Sequence, residues 1–514
     1  MAIFQKIYES EYVDSLETLF RTMILSEQQD VTSAYVCMGT DNNKTVIADM
    51  GLMTDEIRAA GEGDLIVVAS AASPEAFSQA IASMEHEAEA RAPKGRASTP
   101  TIEAAVAQRP DANVCVLSIP GEHVKEAAMQ ALDAGMHLLI FSSHVAPQDE
   151  RDIKLYAKEK GLLCMGPDCG VVNLNGAAFV LGSITRRGPV GICGASGIGV
   201  QYVGAMLHAA GSGVSQIIGT GGGDTKDAVG GLTMLAGIDA LENDADTQFI
   251  VLVSRKPGEE TLRRILGRVA NCRKPVVVYL MGVSREEVEA HGGLWAANLE
   301  DAAKKALALV GKQLPFDDES EFPALAKRLC QGMDARQKYV RGAFLGGTYC
   351  DEAIRTLTQQ VGDVFSNAPI SPETQLADVS VSVRNTVIDY GEEEFTQGRP
   401  HPTIEPSVRL PAILHEAEDP ETAVLLLDFV LTPAGPKDPV GPVIREIEKA
   451  KALVKARGGE LAVVASVCGT DADVQNRTRQ EEALRQAGVH VCLSNYKAAL
   501  LAGEIVMQRG GGTK

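Results

Sequence analysis

Short apolar strands alternate with longer amphipathic segments through most of this chain. Strands are predicted at 33–38 and 64–69, at 114–119, 137–141 and 161–166, at 189–193, 214–218, 248–253 and 275–280, and at 339–344, 386–389, 422–429, 461–467 and 489–492. Continuous apolar strands separated by amphipathic helices are typical of parallel sheets covered on both faces. The pattern therefore predicts a multidomain α/β fold.

Composition shifts divide this pattern into segments, and a chain of 514 residues is long enough for three or four domains. The segment at 87–100 is rich in Ala, Arg, Pro and Ser, and the stretch at 313–338 is rich in acidic residues, so both are predicted to be linkers. The expected units are a small N-terminal α/β domain with its linker at 1–99, a Rossmann-like unit at 100–187, an α/β unit at 188–312, the second linker at 313–338, and a last α/β unit at 339–514.

The charge and cysteine content exclude several classes of protein. A net charge of −20 argues against a nucleic-acid partner, because phosphate neutralisation needs clustered Lys and Arg. The 10 cysteines are scattered without zinc spacing, so reduced thiols and no metal site are expected. The chain has no apolar run of about 18 residues and no signal peptide, which favours a cytoplasmic protein without a membrane partner.

Two glycine-rich turns, each after an apolar strand, are the clearest candidates for chemistry. A strand that ends in glycines before a helix brings backbone N–H groups and a helix N-terminus close to an anion. The alternative is that such turns only permit tight strand–helix packing, and Asp224 is expected to cap the next helix rather than to bind a ligand. The candidate phosphate-binding residues are Gly194, Ala195, Ser196 and Gly197 in the first turn and Gly221, Gly222 and Gly223 in the second.

Two further strand ends carry candidate binding residues, because ligands of α/β sheets bind beyond the carboxyl ends of strands. Asp168 and Cys169 follow the strand at 161–166, where an ordinary turn is the alternative interpretation. Gly346, Gly347 and Thr348 follow the strand at 339–344 and form another strand-to-helix turn.

A dense polar stretch at 389–402 supplies further candidates. Arg399 is suited to clamp a carboxylate or phosphate through two parallel hydrogen bonds. His401 is a candidate general acid or base, although a histidine between prolines also fits a structural role. Asp428, which follows a strongly apolar strand, is expected either to face a pocket or to cap a helix.

The motifs between about residues 111 and 309 resemble the α subunit of succinyl-CoA synthetase, and the final third resembles the C-terminal domain of its β subunit. The matching elements are the Ile-Pro-Gly turn at 119–121, the Gly-Pro-Asp-Cys-Gly turn at 166–170, and the two glycine turns. With the N-terminal domain and the 389–402 loop, the whole chain resembles the FdrA family. The resemblance implies a Rossmann-like CoA-binding-type domain at 100–187 and two flavodoxin-like ligase domains at 188–312 and 339–514.

The chain departs from the synthetase pattern where the synthetase carries its phosphohistidine. The corresponding stretch at 281–299 is shortened, with only His291-Gly292-Gly293 left of the motif. Arg255 and Lys256 stand where the supporting glutamate is expected, and the ATP-grasp half of the β subunit is absent. A phosphohistidine relay from ATP is therefore not expected, and cations are expected to border the phosphate site.

The resemblance implies three functions. The preferred one is a carbamoyltransferase component of the ureide (allantoin) breakdown type, which moves a carbamoyl group between carbamoyl phosphate and a small carboxylate-bearing amide such as oxamate. Arg255, Lys256, Arg399 and His401 are its candidate catalytic residues. The alternatives are an acyl-CoA synthetase that uses an acyl phosphate and a small carboxylate, and a non-catalytic scaffold that binds CoA or a nucleotide. CoA is the one candidate cofactor, and further subunits in a homo- or hetero-oligomer are expected.

Overall fold

The computed structural model describes residues 2–13, 15–26, 28, 30–91, 101–314, 319–396 and 402–512. These residues form two compact units. The smaller is built mainly from residues before 113, and the larger mainly from Gly121–Glu392 and the described residues from 402 onward.

The smaller unit contains a three-stranded antiparallel sheet in the order β1-β3-β2. Alternate residues of the central strand β3 face two separate cores, with Val67 in one and Ile66 in the other. The first strand and three short helices were not expected from the sequence. Its elements are β1 (Ala2–Tyr8), α1 (Ser15–Ser26), β2 (Val31–Met38), α2 (Asp41–Asp49), α3 (Asp55–Ala59), β3 (Leu65–Ala71), α4 (Pro74–Arg91) and α5 (Ile102–Gln108).

The larger unit begins with a parallel sheet in the order β4-β5-β6. Successive strands lie side by side in chain order, as in one βαβαβ half of a Rossmann fold. The sheet therefore has no point at which the strand order reverses. Its elements are β4 (Val114–Leu117), α6 (Gly121–Asp133), β5 (His137–Ile140), α7 (Pro147–Glu159) and β6 (Cys164–Met165).

A seven-stranded sheet follows, in the order β13-β12-β11-β9-β10-β7-β8. Its five parallel strands have the flavodoxin order, which reverses between β9 and β11. The hairpin β7–β8 extends the sheet in antiparallel fashion beyond β10, although its residues fall within the segment predicted as Rossmann-like. The elements are β7 (Val171–Leu174), β8 (Ala177–Val180), β9 (Arg187–Gly194), α8 (Gly197–Ala209), β10 (Val214–Gly219), α9 (Leu232–Asn243), β11 (Phe249–Ser254), α10 (Glu259–Ala270), β12 (Val276–Leu280), α11 (Arg285–Ala290), β13 (Leu294–Trp295) and α12 (Leu299–Leu309).

The last sheet has five parallel strands in the order β15-β14-β16-β17-β18, which is the flavodoxin order again. Its point of reversal lies between β14 and β16. The elements are α13 (Phe322–Leu329), β14 (Tyr339–Phe344), α14 (Gly347–Val361), β15 (Thr386–Asp389), α15 (Glu393–Thr396), α16 (Leu410–Glu418), β16 (Thr422–Val430), α17 (Gly441–Ala456), β17 (Ala462–Cys468), α18 (Arg477–Gln486), β18 (His490–Cys492) and α19 (Asn495–Arg509).

One hydrophobic core joins the two flavodoxin-like sheets, since buried side chains from both pack into it. Helices α8 and α12 from one side meet α14 and α19 from the other, and the rings of Tyr202 and Tyr349 cross edge to face with their centroids 6.0 Å apart. Burial of this much apolar surface makes the joint a continuous interior rather than a loose contact between domains.

The α/β multidomain fold with parallel sheets is confirmed, including two flavodoxin-like strand orders. The predicted linker at 313–338 contains a packed helix instead: α13 buries Phe322 and Ala326, and the Gln508 side chain of α19 donates to the Pro323 carbonyl. Helix α4 runs into the other predicted linker as far as Arg91, and residues 92–100 lie outside the described part of the chain. No described helix is long and apolar enough to span a membrane.

Candidate functional site

Each flavodoxin-like sheet has a point at which its strand order reverses, and one hydrogen bond joins the two halves there. Ser196 caps the N-terminus of α8, where its Oγ accepts from the Gly199 N–H at 3.0 Å. Thr348 lies in the first turn of α14, and its Oγ1 is 2.7 Å from Ser196 Oγ. The ends of two helices that carry unpaired N–H groups and partial positive charge therefore face a common place, which favours a bound anion.

Glycines at these turns permit an approach that no larger residue allows. A Cβ on Gly346 would overlap the Ile198 side chain, and a Cβ on Gly347 would overlap the Arg255 guanidinium and lie 2.6 Å from Asp389 Oδ2. In the facing turn, Ala195 is partly exposed and Gly197 is exposed. The predicted residues of the first turn and of the 346–348 turn are thus brought together, and part of their backbone remains open to solvent.

Arg255 follows β11 and extends its side chain over Gly347, with half of that side chain exposed. Its Nη2 lies 3.9 Å from Oδ2 of Asp389, a carboxyl that is only 1% exposed at the end of β15. Burial raises the pKa of Asp389 to about 7, although the Gly391 N–H donates to Oδ1 and Arg255 is near. Sequence reasoning singled out Arg255 and missed Asp389, because nothing local indicates that β15 ends beside β14.

A second buried carboxyl supports the 346–348 turn from the other side. Asp428 on β16 accepts from the Leu345 N–H at 2.9 Å and pairs with the fully buried Arg409 at 3.1 Å. Burial raises the pKa of Asp428 to about 6 and lowers that of Arg409 to about 10. The sequence suggested that Asp428 either faces a pocket or caps a helix. In the structure its buried carboxyl instead holds the backbone that leads into the turn.

The second glycine turn packs against the loop after β6 rather than against the β14 turn. A Cβ on Gly221 would overlap the Pro167 carbonyl, whereas Gly222 is exposed with nothing near its Cβ position. Asp224 accepts from the N–H groups of Thr233 and Met234 at the start of α9, as the expected capping role requires.

A buried lysine that the sequence analysis missed holds this second turn in place. Lys154 on α7 lies 3.0 Å from Asp224 Oδ1 and 2.6 Å from Glu150 Oε1, and it donates to the Thr220 carbonyl. Gly223 lies against the same Glu150 carboxylate. A Lys and a Glu four residues apart on a helix were the available sequence signal, but that spacing is equally typical of a surface pair.

The remaining candidate residues have different surroundings. Asp168 is exposed with a positive φ of 55°. Cys169 is buried, and burial raises the pKa of its thiol to about 12, so this side chain belongs to the core rather than to an anion site. Lys256 is exposed and lies against Gly282 at the end of β12. Arg399 and His401 lie outside the described residues.

His291 lies at the edge of the sheet opposite to the glycine turns. It follows α11 and precedes β13, whose Leu294 pairs with Val277 near the start of the parallel strand β12. Its Nδ1 is 2.8 Å from the Glu287 carbonyl oxygen of its own helix. Residues before a parallel strand lie at the amino edge of the sheet, whereas the turns lie at the carboxyl edge. The geometry thus separates this histidine from the candidate anion site.

Comparison with known proteins shows a CoA-ligase domain in the last part of the chain and a domain of a second family at residues 1–104. Residues 343–505 match the family described as CoA-ligase, and residues 1–104 match the family described as AllF, heavy metal-associated domain. The chain is 39% identical over 503 residues to the uncharacterized protein YahF of Escherichia coli strain K12, a match that covers 97% of this chain and 98% of YahF. The chain therefore belongs to the same family as YahF.

Two similarities to other proteins are partial. The chain is 30% identical over 182 residues to subunit alpha 2 of the ADP-forming succinate–CoA ligase of Archaeoglobus fulgidus, which covers 34% of this chain and 60% of that subunit. It thus spans less than two thirds of the length of that relative. The structure of ATP citrate lyase from Methanothrix soehngenii, in complex with citrate and coenzyme A, superposes with a TM-score of 0.35 and 13% identity, covering 80% of this chain and 84% of that one.

The described residues of the N-terminal unit do not form a site for a metal ion, although the family that matches residues 1–104 is described as heavy metal-associated. No group of three or more His, Cys, Asp and Glu that could hold a metal occurs among the described residues. Cys37 is the one cysteine in residues 1–104, and it is buried on β2, where burial raises its pKa to about 12. A single protonated thiol in an apolar core is not a metal site.

Proposed function

We propose that this chain catalyses acyl transfer of the acyl-CoA ligase kind. The acyl group comes from an acyl phosphate that binds where Ser196 and Thr348 meet. The observation that carries the proposal is the convergence of two strand-reversal points, each with a helix N-terminus, beside the half-exposed Arg255. The CoA-ligase match supports this class of chemistry. Preorganised N–H groups and a guanidinium stabilise the charge that develops on a departing phosphate.

The proposed transfer is a direct displacement. The thiol sulfur of coenzyme A, the proposed acceptor, attacks the acyl carbon, and the bond from that carbon to the phosphate oxygen breaks. The thiol proton passes to the departing phosphate, which leaves as hydrogen phosphate. The position of His291 at the opposite edge of the sheet supports a route without phosphohistidine. Proximity and electrostatics then supply the catalysis.

Carbamoyl transfer of the FdrA type is the second candidate. Arg255 and Lys256 favour it, since two exposed cations after one strand suit carbamoyl phosphate together with a small carboxylate-bearing acceptor such as oxamate. In this version the acceptor nitrogen attacks the carbamoyl carbon, and phosphate leaves in the same way. Both candidates place the phosphate at the same turn and differ in the acceptor.

Parallel assays of the full-length chain separate these candidates. Acetyl or succinyl phosphate with CoA should yield a thioester and phosphate, whereas carbamoyl phosphate with oxamate tests the second candidate. Ser196→Ala combined with Thr348→Val should lower kcat/KM by about 100-fold, because two hydroxyls at the phosphate are lost. His291→Ala is the control and should leave the rate unchanged. Absence of turnover with both donors, or a dependence on His291, contradicts the proposal.

A further inference from the structure

We propose that Asp389 is a positioning residue that holds the Arg255 guanidinium over the Gly346–Thr348 turn, the place that the proposed function gives to the substrate phosphate. The two residues come from different flavodoxin-like halves, with Arg255 after β11 and Asp389 at the end of β15. Their pairing therefore fixes a cation from one half above the glycine turn of the other. The inference rests on the proposed function.

The carboxyl group of Asp389 is fixed in orientation. The side chain of Asn367 holds the backbone of Asp389 with two hydrogen bonds. Its Nδ2 donates to the Asp389 carbonyl oxygen at 3.0 Å, and its Oδ1 accepts from the Asp389 N–H at 2.9 Å. The Gly391 N–H donates to Oδ1 at 2.8 Å, which leaves Oδ2 as the oxygen that faces Gly347 and Arg255. Each of these contacts would also form with an asparagine that presents its oxygen to Gly391. The turn alone does not require a carboxylate.

Burial of an ionised carboxyl at this position costs free energy, so we expect another interaction to depend on its charge. The side chain is only 1% exposed, and an ionised group loses much of its hydration at such burial. Among the described residues, the Gly391 N–H and the Arg255 guanidinium favour the ionised form of Asp389, whereas Glu392 on the same loop and Asp428 on β16 oppose it. Cys350 on α14 faces the same carboxyl but stays protonated, since burial raises its pKa well above the usual value. The Gly391 hydrogen bond can also form with a neutral oxygen, whereas the attraction to Arg255 requires the charge.

Gly347 supplies the space in which the pair lies. A Cβ there would overlap Arg255 Nη2 and approach Asp389 Oδ2 to 2.6 Å. The guanidinium thus lies directly on the first residue of α14, with half of its side chain open to solvent on the other side. One side of Arg255 meets Asp389, and the open side is left for the phosphate of the substrate. An arginine that already pairs with a carboxylate on one side loses less side-chain freedom when it binds an anion on the other.

Titration calorimetry with inorganic phosphate on the full-length chain tests this role. Asp389→Asn should weaken phosphate binding about fivefold at about pH 8, and less than twofold at about pH 5.5, where the wild-type carboxyl is already protonated. The ratio of the two dissociation constants at each pH cancels the titration of phosphate itself. Arg255→Ala should weaken binding about tenfold, and the double variant should lose nothing further, because Asp389 acts through Arg255.

Asp351→Asn is the matched control. Asp351 pairs with Arg355 at 2.5 Å on the same helix α14, so its loss should leave the Arg255 coupling unchanged. Additive losses in the double variant, a weakening that does not depend on pH, or tighter phosphate binding by Asp389→Asn would overturn the inference. Phosphate that fails to bind the wild-type chain overturns the proposed function instead. In that case, modification of Arg255 by phenylglyoxal still tests the pair, with about threefold faster reaction expected in Asp389→Asn.

Discussion

Among single residues, Asp389 makes folding stability depend on pH in a defined direction. Burial raises its pKa from 3.8 to about 7 in the folded chain. The folded state therefore retains a proton that the unfolded state releases, and the unfolding free energy falls as pH rises through this range. We expect Asp389→Asn to stabilise the chain more at about pH 8 than at about pH 5, by on the order of 2 kcal/mol in urea unfolding.

The control for this prediction is a carboxyl in the same half whose pKa is lowered rather than raised by folding. Asp378 is exposed, and hydrogen bonds from Ser380 lower its pKa. Asp378→Asn should therefore give no gain in stability that grows with pH. An equal gain from Asp389→Asn at both pH values would show that the buried carboxyl does not titrate between them.

At the scale of elements, helix α7 and the second glycine turn depend on one buried ion pair network. Burial opposes ionisation of Lys154, but the Asp224 and Glu150 carboxylates outweigh it and raise the pKa of this lysine. Lys154→Met leaves both carboxylates without their cation, which costs about 3–5 kcal/mol when a buried pair loses one partner. Urea unfolding of the full-length chain should show this loss.

Lys160 provides the matched comparison at the end of the same helix. It pairs with Asp133 at 2.7 Å, but both side chains are substantially exposed. Lys160→Met should cost less than about 1 kcal/mol, because exposed pairs contribute little. Similar losses from the two variants would mean that the Lys154 network does not stabilise the turn.

The elements were largely predictable from the sequence, whereas their partners were not. The strands at 339–344 and 386–389 were predicted with the bounds that β14 and β15 have, because apolar runs bounded by turn residues are a local signal. The glycine turns were recognised for the same reason. That β15 lies beside β14, and so places Asp389 next to Arg255, follows from strand order, which no local pattern encodes. Helix α13 was missed because the acidic residues before it mask its short apolar face.

At the scale of the whole molecule, we expect the shared core to make the two flavodoxin-like halves unfold as one cooperative structure. The candidate site lies on the joint, so its geometry is maintained only while both halves keep their contact. Tyr349 follows Thr348 directly and is buried against Tyr202 of the other half. The same joint therefore supports both the core and the facing helix N-termini.

Tyr349→Ala tests this coupling by hydrogen exchange along the full-length chain. Loss of a large buried aromatic side chain costs about 3–5 kcal/mol. Because the ring belongs to the shared core, amide protection should fall in β9 and β11 as well as in β14 and β16. Leu484→Ala removes a side chain from a core whose described members all belong to the last sheet and its helices, and it should lower protection there alone. If Tyr349→Ala also affected only the last sheet, the halves would be independently stable, and the Ser196–Thr348 contact would not be held by a common interior.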